Sequence, residues 1–350
     1  MTRSKRVEVA VTGYGWELPA LGNPVSLASA VADPDISAVQ FLPEEKLGKK
    51  GLRYKERSTL MSLCAAKAAL QDARLLGANV ERLDDTQFGV VVASNTSNLG
   101  TVCSVAETIR LGHVDATSPM DLPNASSNIV AATVGIRFGL KAINLLICSG
   151  SSASIDALIL AANTIRNGRA LRMIVIATET DGLALRSLLS QTDGGHVAYQ
   201  PASILEGSFA VVLEAAGEAV QRSAPIYGLL DDYAYMHADS GQASGLRTLL
   251  ASHASKLLYV PPAAAVDMLS EKVFDDARER LDLGPVAARA YGSAALLQLV
   301  HYCESQTRES AGPGKVCDGA VIVAGGMWGD RRFSALAVRA PAPASRALHA

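Results

Sequence analysis

The chain has 350 residues, of which 49% are hydrophobic and 19% charged, a composition that is typical of globular proteins and excludes a disordered or collagen-like chain. Its 32 lysines and arginines nearly balance its 34 aspartates and glutamates, which leaves a net charge of −2. A nearly neutral protein has no bulk attraction for nucleic acid or for an anionic membrane, so we expect neither as a partner. There is no signal-peptide pattern and no apolar run of about 18 residues, so we expect a soluble protein of the cytoplasm.

The five cysteines, at positions 64, 103, 148, 303 and 317, include no CxxC pair, and their number is odd. This pattern favours neither a disulfide framework nor a zinc site, and it fits a reducing compartment. We therefore expect no metal and no cofactor.

Short runs rich in β-branched residues alternate with longer helical segments along the chain. The predicted strands are Val7–Thr12, Phe88–Ala93, Leu145–Ser149, Met173–Ala177, Phe209–Glu214, Ala224–Asp232, Leu257–Val260, Gly319–Ala324 and Ser334–Arg339. The predicted helices are Ser58–Ala73, with Ser58 as a possible N-cap, Asn124–Leu140, Ile155–Asn167 and Val286–Cys303. Continuous apolar strands alternating with helices predict an α/β fold with a sheet that is buried on both faces.

Six segments carry further information because of their order along the chain. They are Val9–Asn23, Phe88–Gly100, Pro123–Asn124, Ile136–Lys141 with Asn144, Ile174–Asp181 and Glu206–Glu214. In this order they resemble the ketosynthase branch of the thiolase superfamily, which includes β-ketoacyl-ACP synthases and polyketide chain-length factors (ACP, acyl carrier protein). The resemblance implies a thiolase-like layered αβαβα fold made of two related halves. We expect these halves at residues 1–217 and 218–339, followed by a mobile tail at 340–350.

The resemblance also indicates where the catalytic nucleophile of the family would lie. In the family a cysteine begins a buried helix, whose dipole lowers the thiol pKa, and a glycine ends that helix seventeen residues later. In this chain the glycine is Gly168, which places Ser151 at the nucleophile position. Choosing Cys148 instead would put the polar Ser152 and Ser154 at core positions of the helix. A serine at this place needs a hydrogen-bonded base, which is usually histidine.

The two histidines that the family uses to bind the thioester oxyanion have no counterpart in this chain. The resemblance places Ala263 and Arg289 at their positions, and Arg289 could bind a phosphate or carboxylate, or pair with an acidic residue. Gly325 and Gly326 are interpreted as a tight turn, with oxyanion donation as the alternative. Among the six histidines, His253 is the best candidate to approach the site, against a solvated loop position.

The replaced Cys-His-His set predicts a ketosynthase-like subunit of fatty-acid or polyketide biosynthesis that has lost its own condensing activity. Like a chain-length factor, it would pair with a catalytic ketosynthase and shape the acyl tunnel. The expected partners are that subunit in a heterodimer, or a second copy in a homodimer, and an acyl carrier protein with a phosphopantetheine-bound acyl chain. The basic segment 46–57 could dock the carrier protein or form a solvated loop. Two alternatives stay open: a serine-nucleophile acyltransferase or priming ketosynthase using Ser151, and a non-catalytic homodimeric scaffold.

Overall fold

The computed structural model describes residues 7–19, 26–32, 40–77, 80–191, 204–238, 244–253, 256–261, 274, 279–309, 318–327 and 330–341. The strands in this part of the chain are β1 (Val9–Glu17), β2 (Phe88–Ala93), β3 (Asn144–Ile147), β4 (Arg172–Glu179), β5 (Gly207–Ala215), β6 (Gly228–His237), β7 (Leu257–Tyr259), β8 (Glu279–Leu281), β9 (Gly319–Gly325) and β10 (Arg332–Arg339). The helices are α1 (Leu27–Ala32), α2 (Pro43–Leu47), α3 (Arg57–Asp72), α4 (Leu99–Gly112), α5 (Ile129–Phe138), α6 (Ala153–Arg166), α7 (Leu183–Gln191), α8 (Ala216–Gln221), α9 (Ser244–Ser252), α10 (Gly284–Arg289) and α11 (Ala294–Glu309). None of the described helices is both long enough and apolar enough to cross a membrane.

The strands form one mixed sheet in the order β3-β2-β4-β5-β1-β6-β10-β9-β7-β8. The order 3-2-4-5-1 in the first half has the same pattern as 8-7-9-10-6 in the second half. Each half has three parallel strands followed by two antiparallel ones. The halves meet where β1 pairs with β6, between Val9–Val11 and Gly228–Leu230. The predicted fold of two related halves is therefore confirmed. The exact boundary between residues 217 and 218 stays a prediction, and residues 342–350 of the expected tail lie outside the described residues.

Helices cover the central strands on both faces, which explains the continuous apolar runs in their sequences. In β2, Val90 and Val92 pack in the cluster that contains α3, whereas Val91 and Ala93 pack in the cluster that contains α6 and α11. The second cluster also includes residues of β9 and β10, so α6 and α11 lie between the two halves of the sheet. The helix α9 packs on the outer face of the second half. This arrangement gives five layers, α3, half sheet, α6 with α11, half sheet and α9.

Two sequence predictions about helices are wrong, and the second one concerns the site. The Ser58 side chain caps no helix; its hydroxyl donates to the carbonyl of Ser97 at 2.9 Å, and α3 begins at Arg57. The segment predicted as one helix at Val286–Cys303 divides into α10 and α11. Between them, Tyr291 adopts the left-handed conformation with φ of 43°, which an uninterrupted helix does not allow. The interruption turns this part of the chain towards the start of α6.

Candidate active site

The predicted nucleophile position, Ser151, lies at the start of α6, shortly after β3. A 3-10 turn over Gly150–Ser152 joins the two elements, and Gly150 adopts a left-handed φ of 69°. Ser151 is fully buried. Its hydroxyl donates to Asp330 Oδ2 at 2.7 Å, and its backbone N–H donates to the same oxygen at 3.1 Å. Ser151 thus begins a buried helix, but its partner is a carboxylate; its assignment as a nucleophile stays a prediction.

Asp330 reaches this helix start from the connection between β9 and β10. Its other oxygen, Oδ1, accepts the N–H of Arg332 at 3.0 Å, and its own N–H donates to the carbonyl of Met327 at 3.0 Å. A Cβ at Gly150 would lie only 2.8 Å from Asp330 Oδ2, so the close approach of this carboxylate requires glycine there. A carboxylate is favourable at this place because the unpaired N–H groups of a helix start carry partial positive charge.

Asp156, on the first turn of α6, gives a second contact between the same two segments next to Ser151. The hydroxyl of Ser149 donates to Asp156 Oδ2 at 2.6 Å, and the guanidinium of Arg332 binds Asp156 Oδ1. The Arg332 guanidinium also lies over the ring of Tyr235, 4.8 Å from its centroid. The start of β10 is therefore attached to the first turn of α6 at two places, through Asp330 and through Asp156.

Asn95 holds the turn before Ser151 from the other side. Its Oδ1 accepts the N–H of Gly150 at 2.9 Å, and its Nδ2 donates to the Gly150 carbonyl at 3.1 Å. The same Nδ2 donates to Glu179 Oε1 at 2.8 Å, so the carboxyl group of Glu179 orients the amide that orients the turn. These contacts bring the end of β4 and the segment after β2 to the nucleophile position.

Glu179 is a fully buried carboxyl group at the centre of this network. Burial raises its pKa to about 7, although hydrogen bonds from Thr96 and Asn95 counteract part of the effect. Its Oε2 lies 2.7 Å from Thr96 Oγ1 and accepts the Thr96 N–H at 3.0 Å. A carboxyl group with this pKa is divided between its neutral and ionised forms near neutral pH.

The hydroxyl of Thr96 can serve both protonation states of Glu179. Its single hydrogen has two acceptors within reach, Glu179 Oε2 at 2.7 Å and the carbonyl of Thr180 at 3.2 Å. It donates to Glu179 when the carboxylate is ionised. It accepts from the protonated carboxyl group when its own hydrogen turns to Thr180. Glu179 Oε2 and the Thr96 hydroxyl therefore stay hydrogen-bonded to each other in both protonation states of the carboxyl group.

The segment that was expected to replace a family histidine contributes Tyr291 and Gly292 to the site. Arg289 is half-buried, and its carbonyl accepts the N–H of Leu205 at 2.8 Å. A Cβ at Gly150 would lie 3.7 Å from the Tyr291 hydroxyl oxygen. Burial raises the pKa of Tyr291 well above its usual range, and Glu179 and Asp330 raise it further. Gly292 packs so closely that a Cβ there would lie 2.2 Å from Asn95 Nδ2.

The other predicted site residues have separate locations. Ala263 lies outside the described residues. Gly325 and Gly326 form a close backbone approach to Arg332: a Cβ at Gly325 would lie 2.2 Å from the Arg332 carbonyl oxygen, and this oxygen accepts the Gly326 N–H at 3.2 Å. This N–H is therefore used within the turn. Cys148 is exposed, and burial of part of its side chain, together with Glu179, raises its thiol pKa.

His253 belongs to the opposite end of α6. Burial lowers its pKa, Lys256 lowers it further, and Asp231 acts in the other direction, so His253 lies near Asp231. The carbonyl of Asp231 is contacted by Arg166, which is the last residue of α6. Ser151 precedes the first residue of this 14-residue helix, which spans about 21 Å. The structure therefore does not bring His253 to Ser151.

Sequence reasoning missed Asn95, Glu179, Tyr291 and Asp330. Glu179 had a signal, because it is a carboxylate that directly follows the apolar run of a buried strand. Asp330 had none, since it lies 179 residues after Ser151 and only the tertiary structure brings the two together. Within the described part of the chain, no group of three or more His, Cys, Asp or Glu side chains is arranged to hold a metal ion.

Comparison with known proteins agrees with this architecture. A family model described as β-ketoacyl synthase, N-terminal domain, matches residues 46–192. The chloroplastic 3-oxoacyl-[acyl-carrier-protein] synthase I of Arabidopsis thaliana is 33% identical over 203 residues, which are 53% of this chain and 42% of that protein. The 3-oxoacyl-[acyl-carrier-protein] synthase 2 of Synechocystis is 27% identical over 216 residues, 57% of this chain and 50% of that protein. The chain spans about half the length of these curated relatives.

Solved structures resemble the chain over almost its whole length. A type II polyketide acyl-carrier protein in complex with its ketosynthase has a TM-score of 0.80 at 17% identity, covering 96% of this chain and 100% of that one. The ishigamide ketosynthase/chain length factor has a TM-score of 0.71 at 18% identity, covering 95% and 99%. These likenesses show a thiolase-like ketosynthase fold. Together with the family model over residues 46–192 and the sequence relatives, they support a ketosynthase-like protein of the thiolase superfamily.

Proposed function

We propose that this chain is a subunit of fatty-acid or polyketide synthesis that performs no condensation itself and acts as a chain-length-factor-type partner of a catalytic ketosynthase. The observation that carries the proposal is the partner of Ser151. Its hydroxyl donates to the Asp330 carboxylate at 2.7 Å. A hydroxyl is a much poorer nucleophile than a thiolate and depends on a base that removes its proton.

The chemistry of the partner group supports the loss of condensing activity. A carboxylate is a weaker base than an imidazole, because the reference pKa is about 3.9 for aspartate and about 6.5 for histidine. The negative charge of Asp330 also lies where negative charge would develop on a reacting thioester, and two like charges at this distance repel each other. Both effects disfavour attack by Ser151 on an acyl thioester.

An exposed apolar face supports a role beside a second subunit. Not one residue of α4 is buried, and β3 is an edge strand of the sheet whose outer side has no partner strand in the described chain. Leu111 is 69% exposed and Ile136 is 73% exposed. The exposed apolar side chains of α4, β3 and the segments between them are Val102, Ile109, Leu111, Val114, Met120, Leu122, Ile136 and Leu145. A large exposed apolar surface beside an open strand edge is typical of a protein interface.

The basic segment 46–57 supports an acyl carrier protein as a further partner. Lys49, Lys50 and Arg53 are exposed on its surface, so their charges are available to an acidic partner. Lys46 and Arg57 already pair with Glu17 and Glu206. Charge complementarity of this kind accelerates the encounter with an acidic protein more than it tightens the final complex.

Activity and covalent loading test the absence of condensation. The purified chain is incubated with malonyl-ACP and with acyl-CoA, and released carbon dioxide and intact mass are measured beside a catalytic ketosynthase as the positive control. We expect no decarboxylation and no mass increase, for this chain and for its Ser151→Ala variant alike. Turnover that Ser151→Ala abolishes would contradict the proposal. An acyl adduct on the peptide that contains Ser151 would instead indicate the serine acyltransferase.

A substitution at the strand edge tests the role of the apolar face. Leu145 is 40% exposed on β3, whereas Val220, on α8, is 58% exposed outside this face. We expect Leu145→Lys to weaken association with the second subunit by roughly tenfold or more, and Val220→Lys to leave it unchanged. Sedimentation at several concentrations, with and without a catalytic ketosynthase, measures this. A stable homodimer that binds neither a ketosynthase nor an acyl chain would indicate the scaffold alternative.

A further inference from the structure

The start of α6 already holds an anion that belongs to the chain itself. Asp330 Oδ2 accepts both the N–H and the hydroxyl of Ser151, at 3.1 and 2.7 Å. The N–H is a donor that a thioester carbonyl oxygen would use if an acyl group were transferred to Ser151, because such donors stabilise the oxyanion that forms during acyl transfer. The hydroxyl is the group that would attack the carbonyl carbon, and it is already bound to Asp330.

We propose that Asp330 is the residue that closes the Ser151 position to acyl thioesters, because its carboxylate occupies the place of the reacting carbonyl oxygen. The inference rests on the proposed function and adds its structural cause. Replacement of the family cysteine by Ser151 removes the reactive thiol. Asp330 independently occupies the space for the carbonyl oxygen and the N–H of residue 151, so a thiol at residue 151 does not by itself give acyl transfer.

Two further features of the structure hold the carboxylate in this position. Its second oxygen is bound by the N–H of Arg332 at 3.0 Å, which prevents rotation away from Ser151. Gly150 leaves room for the carboxylate, which a Cβ at 2.8 Å would displace. The contact is therefore part of the packing between the β9–β10 connection and α6.

Burial alone does not keep an acyl thioester away from Ser151. Gly150 and Asp330 are only half-buried, so solvent reaches the turn beside Ser151. The hydroxyl of Ser152 is fully buried and has no hydrogen-bond partner among the described residues. Asp330 does not bind this hydroxyl; the donor that it occupies at the helix start is the N–H of Ser151.

The test introduces a thiol at residue 151 and then removes the carboxylate. The proteins are Ser151→Cys, Ser151→Cys with Asp330→Asn, and Ser151→Cys with Asp330→Ala. All carry Cys148→Ala, because Cys148 and residue 151 lie in one tryptic peptide, 142–166. Asp330→Asn keeps the shape of the side chain and an oxygen that can accept the residue 151 N–H, so it removes the charge with little change in packing. Ser151→Cys with Asp156→Asn is the matched control, since it removes a negative charge from the same helix end without a contact to residue 151.

Two probes report separately on the thiol and on acyl transfer. Iodoacetamide is uncharged and measures the thiolate, whose pKa the neighbouring carboxylate raises. Hexanoyl-CoA measures acyl transfer: the thiolate attacks the thioester carbonyl carbon, the new carbon–sulfur bond forms, the bond to the coenzyme A sulfur breaks, and the released thiolate takes up a proton. Mass spectrometry of peptide 142–166 quantifies both products.

We expect alkylation at neutral pH to be roughly tenfold faster in the two Asp330 variants than in Ser151→Cys alone, as a thiol pKa lower by about one unit requires. Only the Asp330→Ala variant should acquire the hexanoyl group, because the asparagine side chain removes the charge but still occupies the place of the carbonyl oxygen. The Asp156→Asn control should behave like Ser151→Cys. Sodium formate, compared with sodium chloride at equal ionic strength, should slow alkylation in the Asp330→Ala variant, because the small carboxylate refills the vacated place. Equal alkylation and acylation with and without Asp330 would overturn the inference, whereas the proposed function fails only if the unmodified chain is acylated or active.

Discussion

Glu179 allows a prediction that links the site to the stability of the whole protein. Its carboxyl group is fully buried, and its pKa rises from 4.5 to about 7 on folding because burial disfavours the charged form. The substitution Glu179→Gln keeps the size of the side chain and its carbonyl oxygen, which still accepts the contacts of Asn95. It removes the titration, since an amide does not ionise.

The magnitude follows from the difference between the folded and unfolded pKa. Each pKa unit corresponds to about 1.4 kcal/mol, so raising the pKa from 4.5 to about 7 corresponds to about 3 kcal/mol. In this window the folded protein binds more protons than the unfolded chain, and stability therefore falls as the pH rises. The contribution of Glu179 is fully present below about pH 4.5 and is lost as the pH passes about 7.

The assay is chemical denaturation of both proteins in one buffer series that covers this pH window. Taking the difference between the two proteins cancels the groups that do not interact with Glu179. Tyr291 and Cys148 do interact with it, but burial raises the pKa of both groups above this pH window, so they stay protonated throughout. We expect the free energy of unfolding of the unsubstituted protein, relative to Glu179→Gln, to decrease by about 3 kcal/mol from the acidic to the neutral end. Two parallel stability curves would refute the argument, because they would mean that Glu179 has the same pKa in both states.

Two further predictions concern stability. Glu214 is buried between Arg172 and Arg222, and although burial raises its pKa, hydrogen bonds from Arg222 and Thr12 hold the pKa below its usual value. Glu214→Gln should therefore lower the free energy of unfolding by about 3 kcal/mol at neutral pH, and the loss should shrink as acid protonates the native carboxylate; an unchanged difference at low pH would contradict this. Gly150→Ala places an L side chain at φ of 69° and 2.8 Å from Asp330, whereas Gly168→Ala meets the same strain at φ of 67° with no atom within 4 Å. We expect both to lower the melting temperature, Gly150→Ala by more than the control, with about 1–2 kcal/mol due to backbone strain alone.

The sequence pattern predicts the fold well where burial alone determines the structure. The run Phe88–Ala93 is a strand with the predicted bounds, because a strand covered on both faces must be apolar throughout. The helix predicted at Ile155–Asn167 begins two residues earlier, at Ala153. The helix α6 is rich in small residues and lies between the two halves of the sheet, so its residues have little freedom in where they pack. Its hydrophobic pattern therefore predicts the helix closely.

The candidate site is predicted less completely because it depends on contacts between distant segments. The position of Ser151 follows from its spacing to Gly168, which is local. The contact with Asp330 depends on how the β9–β10 connection packs against α6, and the approach of Tyr291 depends on a left-handed residue within an apparently continuous helical pattern. No periodicity in the sequence encodes either arrangement, and only the folded chain brings these side chains together.

The bond between Ser151 and Asp330 connects the two halves of the sheet. Asp330 and Arg332 come from the second half, and their partners on and before α6 come from the first. Under the proposed function, a change of Ser151 to cysteine alone leaves the carboxylate in place, and removal of Asp330 alone weakens the packing without creating a thiol nucleophile. The two changes are therefore expected to be epistatic, and each alone gives a protein that is less stable or no more active.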